Sequence, residues 1–192
     1  TSSFEPDWLH IPAALREGGV EPFAEERAPN APLVIIGGPA ITANPEPPAP
    51  FADALFIGEV EPVIDATVDA LREHAGDREA TLQALAVLPG WYVPGICRNA
   101  PVTRVALDDL DAVPTTSALL TPRSEFPMTF LIETGRGCPH GCRFCLARKI
   151  YQPVRSRSAE SILADACLGL QFTERIGLVG AGVADHPQIE EI

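Results

Sequence analysis

The sequence predicts an α/β fold divided into two incomplete parallel modules. Three observations carry that expectation. Residues 1–76 run helix, strand, loop, strand, helix, which is the grammar of strands joined by crossover helices. Residues 128–192 run strand, loop, helix, strand. Residues 77–127 between them are broken by prolines and read as a connector. A chain of 192 residues suits one full domain or two small or partial ones.

The elements follow in order. Trp8, Leu9, Ile11 and Leu15, stopped by Gly18 and Gly19, predict a short helix despite Pro12. Leu33 to Ile36 predict a buried strand that turns at Gly37 and Gly38. The proline-rich TANPEPPAP is a loop, and Ala54 to Gly58 a second short strand. EPVIDATVDALREHAG predicts a strong helix, with Pro62 near its first turn and Val63, Ile64, Thr67, Val68 and Leu71 along one side. In the connector, REATLQALAVLPG predicts a helix stopped by Pro89 and Gly90. VTRVALDDL is a hairpin arm or an extended cover, and VPTTSALLTPRSEFP an ordered linker. MTFLIET then predicts a strand, and SAESILADACLGL a helix capped by Ser158. RIGLVGAG is a strand ending in a glycine turn. DHPQIEEI predicts a further helix, with Asp185 and Gln188 spaced as a capping box.

Charge narrows the function classes. The net charge of −12 argues against a nucleic-acid or anionic-membrane surface. The imbalance is uneven: residues 1–78 hold 14 acidic and 4 basic side chains, whereas residues 134–157 hold 6 basic and no acidic ones. An acidic module therefore leads into a basic local site. No run approaches the roughly 20 apolar residues of a spanning helix, and no secretory signal appears. Five cysteines, three of them clustered, suggest a metal site in a reducing compartment, with the cytoplasm as the default.

The basic stretch contains ETGRGCPHGCRFC, with Cys138, Cys142 and Cys145. Cys97 and Cys167 read as small buried hydrophobes. The cluster does not, because Gly135, Gly137 and Gly141 leave too little bulk for a core and let backbone wrap around a bound object. Pro139 helps fix the turn. Two metal readings compete. Zinc needs four ligands, the fourth being His140 or His186, and only one C-x-x-C pair is present. An iron–sulfur cluster fits three thiolates better and leaves one iron open. Arg136, Arg143, Arg148 and Lys149 would offset the thiolate charge. Arg155 and Arg157 either cover a cofactor carboxylate or face water.

Cys138-x-x-x-Cys142-x-x-Cys145, following a strand and with Phe144 before the third cysteine, resembles the signature of the radical S-adenosylmethionine (SAM) superfamily. The resemblance implies that the three cysteines hold a [4Fe–4S] cluster and that SAM binds its fourth iron. One electron, from a donor such as a ferredoxin or flavodoxin, would then cleave SAM to a 5′-deoxyadenosyl radical. The substrate, a small molecule or a peptide, is left unspecified. It also implies that Phe144 packs near the adenosyl group and that residues 128–192 are the first βα units of a TIM-like barrel. The family's Gly-Gly-Glu-like turn matches Val179-Gly180-Ala181-Gly182. Gly180 and Gly182 keep the cofactor-binding turn, and the glutamate is lost.

TSSFEP, LVIIGGPAITANPEP and ADALFIGEVEPVI resemble the C-terminal part of a Rossmann-like cobalamin-binding domain joined to a radical SAM domain. That implies that Gly37 and Gly38 approach the cobalamin nucleotide tail, and it matches Ser2 or Ser3 to the family's early serine. The Asp-x-His-x-x-Gly motif is absent, so the cobalamin expectation attaches to the full-length parent rather than to this piece. The chain is expected to be an internal fragment of a larger enzyme, with unpartnered strand edges near Phe130 and Leu178. The alternative from another class is a non-catalytic cysteine–metal module, structural or binding.

Overall fold

The computed structural model describes residues 1–97 and 101–192; the part of the connector at 98–100 lies outside the described residues. Two compact units form, Thr1–Leu107 and Asp108–Ile192. Both are α/β with short sheets, and no closed barrel is present among the described residues.

In the first unit, a 3-10 turn (Glu5–Leu9) and helix α1 (Ile11–Glu17) precede strand β1 (Ile35–Gly37) and helix α2 (Pro39–Ala43). Pro12 sits in the first turn of α1, where its missing N–H costs no helical hydrogen bond. Strand β2 (Ala54–Phe56) is followed by α3 (Ile64–Glu73), α4 (Arg78–Ala86) and β3 (Trp91–Tyr92). The sheet order is β1-β2-β3. β2 is parallel to β1 and antiparallel to β3, so the sheet is mixed where the sequence predicts a parallel one. Two helices rather than one separate β2 from β3, and the second reversal brings the strand in antiparallel.

Ile41, Leu55 and Leu85 are fully buried in the core of this unit, each worth about 1.5–3 kcal/mol of apolar burial. Trp91 meets Phe56 edge-on at 5.2 Å, and its indole N–H donates to the Thr67 hydroxyl at 3.1 Å. The segment around Val105 lies along the end of β2, bridging Gly58, and acts as the extended cover. Under the sheet, Asp53 is gripped by Arg27 and Arg78. Arg27 also donates to the carbonyls of Glu21, Pro22 and Phe51, so all three nitrogens of this buried guanidinium donate a hydrogen bond.

In the second unit, β4 (Phe130–Glu133), β5 (Gly135–Arg136), α5 (Ala147–Ile150), β6 (Arg155–Ser156), α6 (Ala159–Gly169) and β7 (Ile176–Val179) follow in turn. β4 and β7 are parallel, from Phe130↔Ile176 to Glu133↔Val179. The other edge of β4 is covered by the connector, through a Thr116↔Ile132 bridge and the Ser117 N–H donating to the Leu131 carbonyl at 2.9 Å. Ser158 caps α6, its hydroxyl accepting from the Ser161 N–H. Ile162 packs with Phe130 and Ile132 in the small core.

Three expectations fail here for local reasons. Cys167 is exposed rather than buried, because it lies five residues beyond the core-facing Ile162, about 140° around the helix. DHPQIEEI does not form a helix after Asp185. Gln188 instead accepts from the Ala159 N–H at the start of α6 and donates to Glu191, so no capping box forms. The edge expectation holds on β7, where Leu178 and Val179 are exposed, but fails near Phe130, which is buried because the connector covers that edge of β4.

Candidate functional site

β4 and β7 end side by side, and ligands in open α/β sheets collect outside the carboxyl ends of strands. Thr134, the residue after β4, is buried. Its N–H donates to the Val179 carbonyl at 2.8 Å, and its carbonyl accepts from the Arg157 N–H at 2.9 Å. β5 then pairs antiparallel with β6, Gly135 against Ser156 and Arg136 against Arg155. That short ladder is a stem. It closes residues 137–154 into one loop, and all three clustered cysteines lie on it.

The loop's glycines have a different first duty from the one the sequence suggests. A Cβ on Gly135 would stand 2.6 Å from the Arg155 carbonyl oxygen. Gly137, at φ +85°, would place one 2.8 Å from Val154 Cα and 2.9 Å from the carbonyl oxygens of Tyr151 and Pro153. Both therefore serve the returning strand at the throat of the loop. Only Gly141 faces open space.

Cys138 and Cys145 are half-buried, Cys142 is exposed, and all three thiols are free. The Cys145 N–H donates to the Cys142 carbonyl at 3.4 Å, and the Gln152 amide donates to the Cys138 carbonyl at 3.2 Å. The donor set suits an iron–sulfur cluster: three soft thiols on one solvent-facing loop that carries arginine and lysine but no carboxylate. Among the described residues no group of three or more His, Cys, Asp or Glu side chains is gathered tightly enough to hold a metal ion. Ligation therefore requires the loop to draw its sulfurs together.

The two histidines considered as a fourth ligand are both engaged. His186 is buried. Its Nε2 donates to the Arg157 carbonyl at 2.8 Å, and its Nδ1 accepts from the Gln188 N–H at 3.1 Å. A carbonyl only accepts and an amide N–H only donates, so both ring nitrogens are committed. His140 Nε2 donates to Asp185 Oδ2 at 2.8 Å.

A cavity of about 220 Å³ opens beside the stem. Thr134, Gly135, Gly137, Gly180, Gly182 and Asp185 are among its walls, so Gly180 and Gly182 come together with the base of the cysteine loop. Phe144 does not line it and is 92% exposed. Arg157, left open between cofactor and water, is a buried structural cation: it pairs with Asp165 at 2.6 Å and Asp111 at 3.4 Å. Burial alone would raise the Asp111 carboxyl. Hydrogen bonds from Ser158 and Ser161 and the Arg157 charge outweigh it and hold the group below the usual carboxylate range.

In the first unit, Gly37 ends β1 and Gly38 leads into α2. Ser2, buried, caps this turn: its N–H donates to the Gly37 carbonyl at 2.8 Å and its carbonyl accepts from the Ala40 N–H. A larger groove, about 1090 Å³, lies on another part of the unit, between Arg27, Asp53, Arg78 and Tyr92. Sequence reading passed over Thr134 and the His140–Asp185 pair. The available signal was a threonine closing the first predicted strand and an aspartate three residues past the glycine turn of the second.

Residues 1–94 match the family described as "Radical SAM proteins, N-terminal". Over its whole length the chain is 30% identical to an uncharacterized protein of Methanocaldococcus jannaschii, covering 39% of that relative. The fold also resembles a radical S-adenosylmethionine methyltransferase, TsrM, from Kitasatospora setae, solved with tryptophan and a SAM analogue. The TM-score is 0.51 at 16% identity, over 83% of this chain and 31% of that one. Residues 1–94 are thus similar to radical SAM proteins, and the chain spans well under half the length of either relative. No helix among the described residues is long and apolar enough to cross a membrane.

Proposed function

We propose that this chain is part of a radical SAM enzyme in which Cys138, Cys142 and Cys145 hold a [4Fe–4S] cluster and SAM binds beside it. One observation carries the reading: a three-thiol loop hangs from the β5–β6 stem at the carboxyl ends of two parallel strands, next to a small cavity. When bound, such a cluster supplies the single electron for reductive cleavage of SAM. The chain's own part is to present the thiols, to neutralise them with Arg143, Arg148 and Lys149, and to shape the cofactor cavity with Gly180 and Gly182. Phe144, at the exposed tip, would fold over the adenosyl group as the loop closes. The commitment of both His186 nitrogens supports three-thiol ligation over a zinc site completed by that residue. An electron donor of the ferredoxin or flavodoxin class, a cytoplasmic setting, and cobalamin beside Gly37 in the longer protein belong to the same reading.

The test is anaerobic reconstitution of the full-length protein, with about four irons and four sulfides per chain expected. Replacing any of the three cysteines with serine lowers that content, and Cys167→Ser leaves it unchanged. SAM should alter the electron paramagnetic resonance spectrum of the reduced cluster. A zinc-only protein that takes up no iron would overturn the reading in favour of the non-catalytic module.

A further inference from the structure

We infer that Gln152 is the positioning residue of the cysteine loop: its side-chain amide fixes Cys138 as the one pre-set thiol, to which Cys142 and Cys145 are brought. The inference rests on the reading above, in which the three thiols hold a [4Fe–4S] cluster.

The backbone of Cys138 is determined on both sides. Before it, Gly137 sits at φ +85°, walled by Tyr151, Pro153 and Val154: a Cβ there would stand within 2.9 Å of all three. After it, Pro139 locks its own φ and restricts the residue that precedes it to extended conformations. Gln152 then acts on the group left over. Its Nε2 donates to the Cys138 carbonyl at 3.2 Å, which fixes the tilt of the Cys138–Pro139 peptide plane. With the backbone so held, the Sγ position turns on one staggered side-chain torsion.

The support is itself braced. Arg155, on β6, donates from Nε to the Pro153 carbonyl at 3.0 Å and from a terminal nitrogen to the Tyr151 carbonyl at 3.4 Å. These are the carbonyls on either side of Gln152. Arg155 in turn pairs with Arg136 in the stem. The platform under Cys138 is therefore an extension of the stem, and Gln152 carries the stem's order to the first ligand.

The other two thiols have no such hold. Among the described residues, the one hydrogen bond of Cys142 and Cys145 joins them to each other. Gly141 faces open space, and Cys142 and Phe144 are exposed. The sulfurs are not gathered, so assembly moves the tip of the loop rather than its throat. A clamp with one fixed jaw loses less conformational entropy on closing than a loop in which all three ligands are free. Freeing that jaw should therefore loosen the cluster without removing a ligand.

The experiment uses the full-length protein and Gln152→Met, which keeps the length of the side chain and removes its donor. Two quantities are read: the rate at which reconstituted protein gives up iron to a ferrous chelator, and the rate at which iodoacetamide alkylates each thiol of the cluster-free protein, resolved by mass spectrometry. Gln152→Met should start with the wild-type iron content and release it about fivefold faster, the loss of one neutral hydrogen bond. In the cluster-free protein it should change the alkylation rate of Cys138 and leave Cys142 and Cys145 as in wild type, a selectivity that general loosening of the fold would not give. If iron release matches wild type, or all three thiols change alike, Gln152 is not the positioning residue while the cluster reading stands. A wild-type protein that takes up no iron sinks both.

Discussion

Gly38 and Ser2 compete for one volume. Gly38 sits at φ +123°, and a Cβ there would run into the carbonyl oxygen of Ser2, with the Ser2 amide nitrogen 3.0 Å away. The N-terminal segment is thereby sealed onto the turn between β1 and α2.

Gly38→Ala should therefore destabilise the first unit by about 1–3 kcal/mol or more, from backbone strain plus collision. Gly37→Ala should be nearly silent, since its Cβ would meet Phe56 at an ordinary 3.7 Å. Thermal unfolding of the two variants beside wild type checks the contrast. Equal melting temperatures would show that the Ser2 contact contributes nothing.

Asp53→Ala should be among the most damaging single substitutions in this unit. It leaves Arg27, whose side chain is completely buried, without its counter-charge, at a cost of about 3–5 kcal/mol. Arg78→Ala should cost less, because Arg78 is partly exposed and Arg27 still neutralises the carboxylate. Urea midpoints should rank wild type, Arg78→Ala, Asp53→Ala in falling order.

The second unit should lose stability in acid through Asp111. Its carboxyl is held below the ordinary value of 3.8 in the fold, so the folded state favours the ionised form. That contribution is fully present above the unfolded value and disappears as pH falls through the folded one. Asp111→Asn should be less stable than wild type at pH 7, and the gap should begin to narrow as pH falls below about 3.8. Denaturant titrations from pH 7 to pH 3 read the difference; a gap that does not change with pH would refute the linkage.

What the linear chain disclosed is what depends on neighbours in sequence. The cysteine spacing, the apolar runs of β4 and β7, the Ser158 cap and the glycine turns after β1 and β7 are all local patterns, and each is where its residues predict. Tertiary structure decided the rest. β3 enters antiparallel because two helices precede it, and Cys167 turns outward because the core takes the opposite face of α6. Gly135 and Gly137 answer to Tyr151, Pro153, Val154 and Arg155, residues more than ten positions away. DHPQIEEI forgoes its helix because His186 and Gln188 find partners at Arg157 and Ala159. Asp185 meets His140 across 45 residues. Local spacing fixes which atoms are available within a turn or a helix. Hydrogen bonds between distant segments depend on how the strands bring those segments together, and no periodicity in the sequence encodes that meeting.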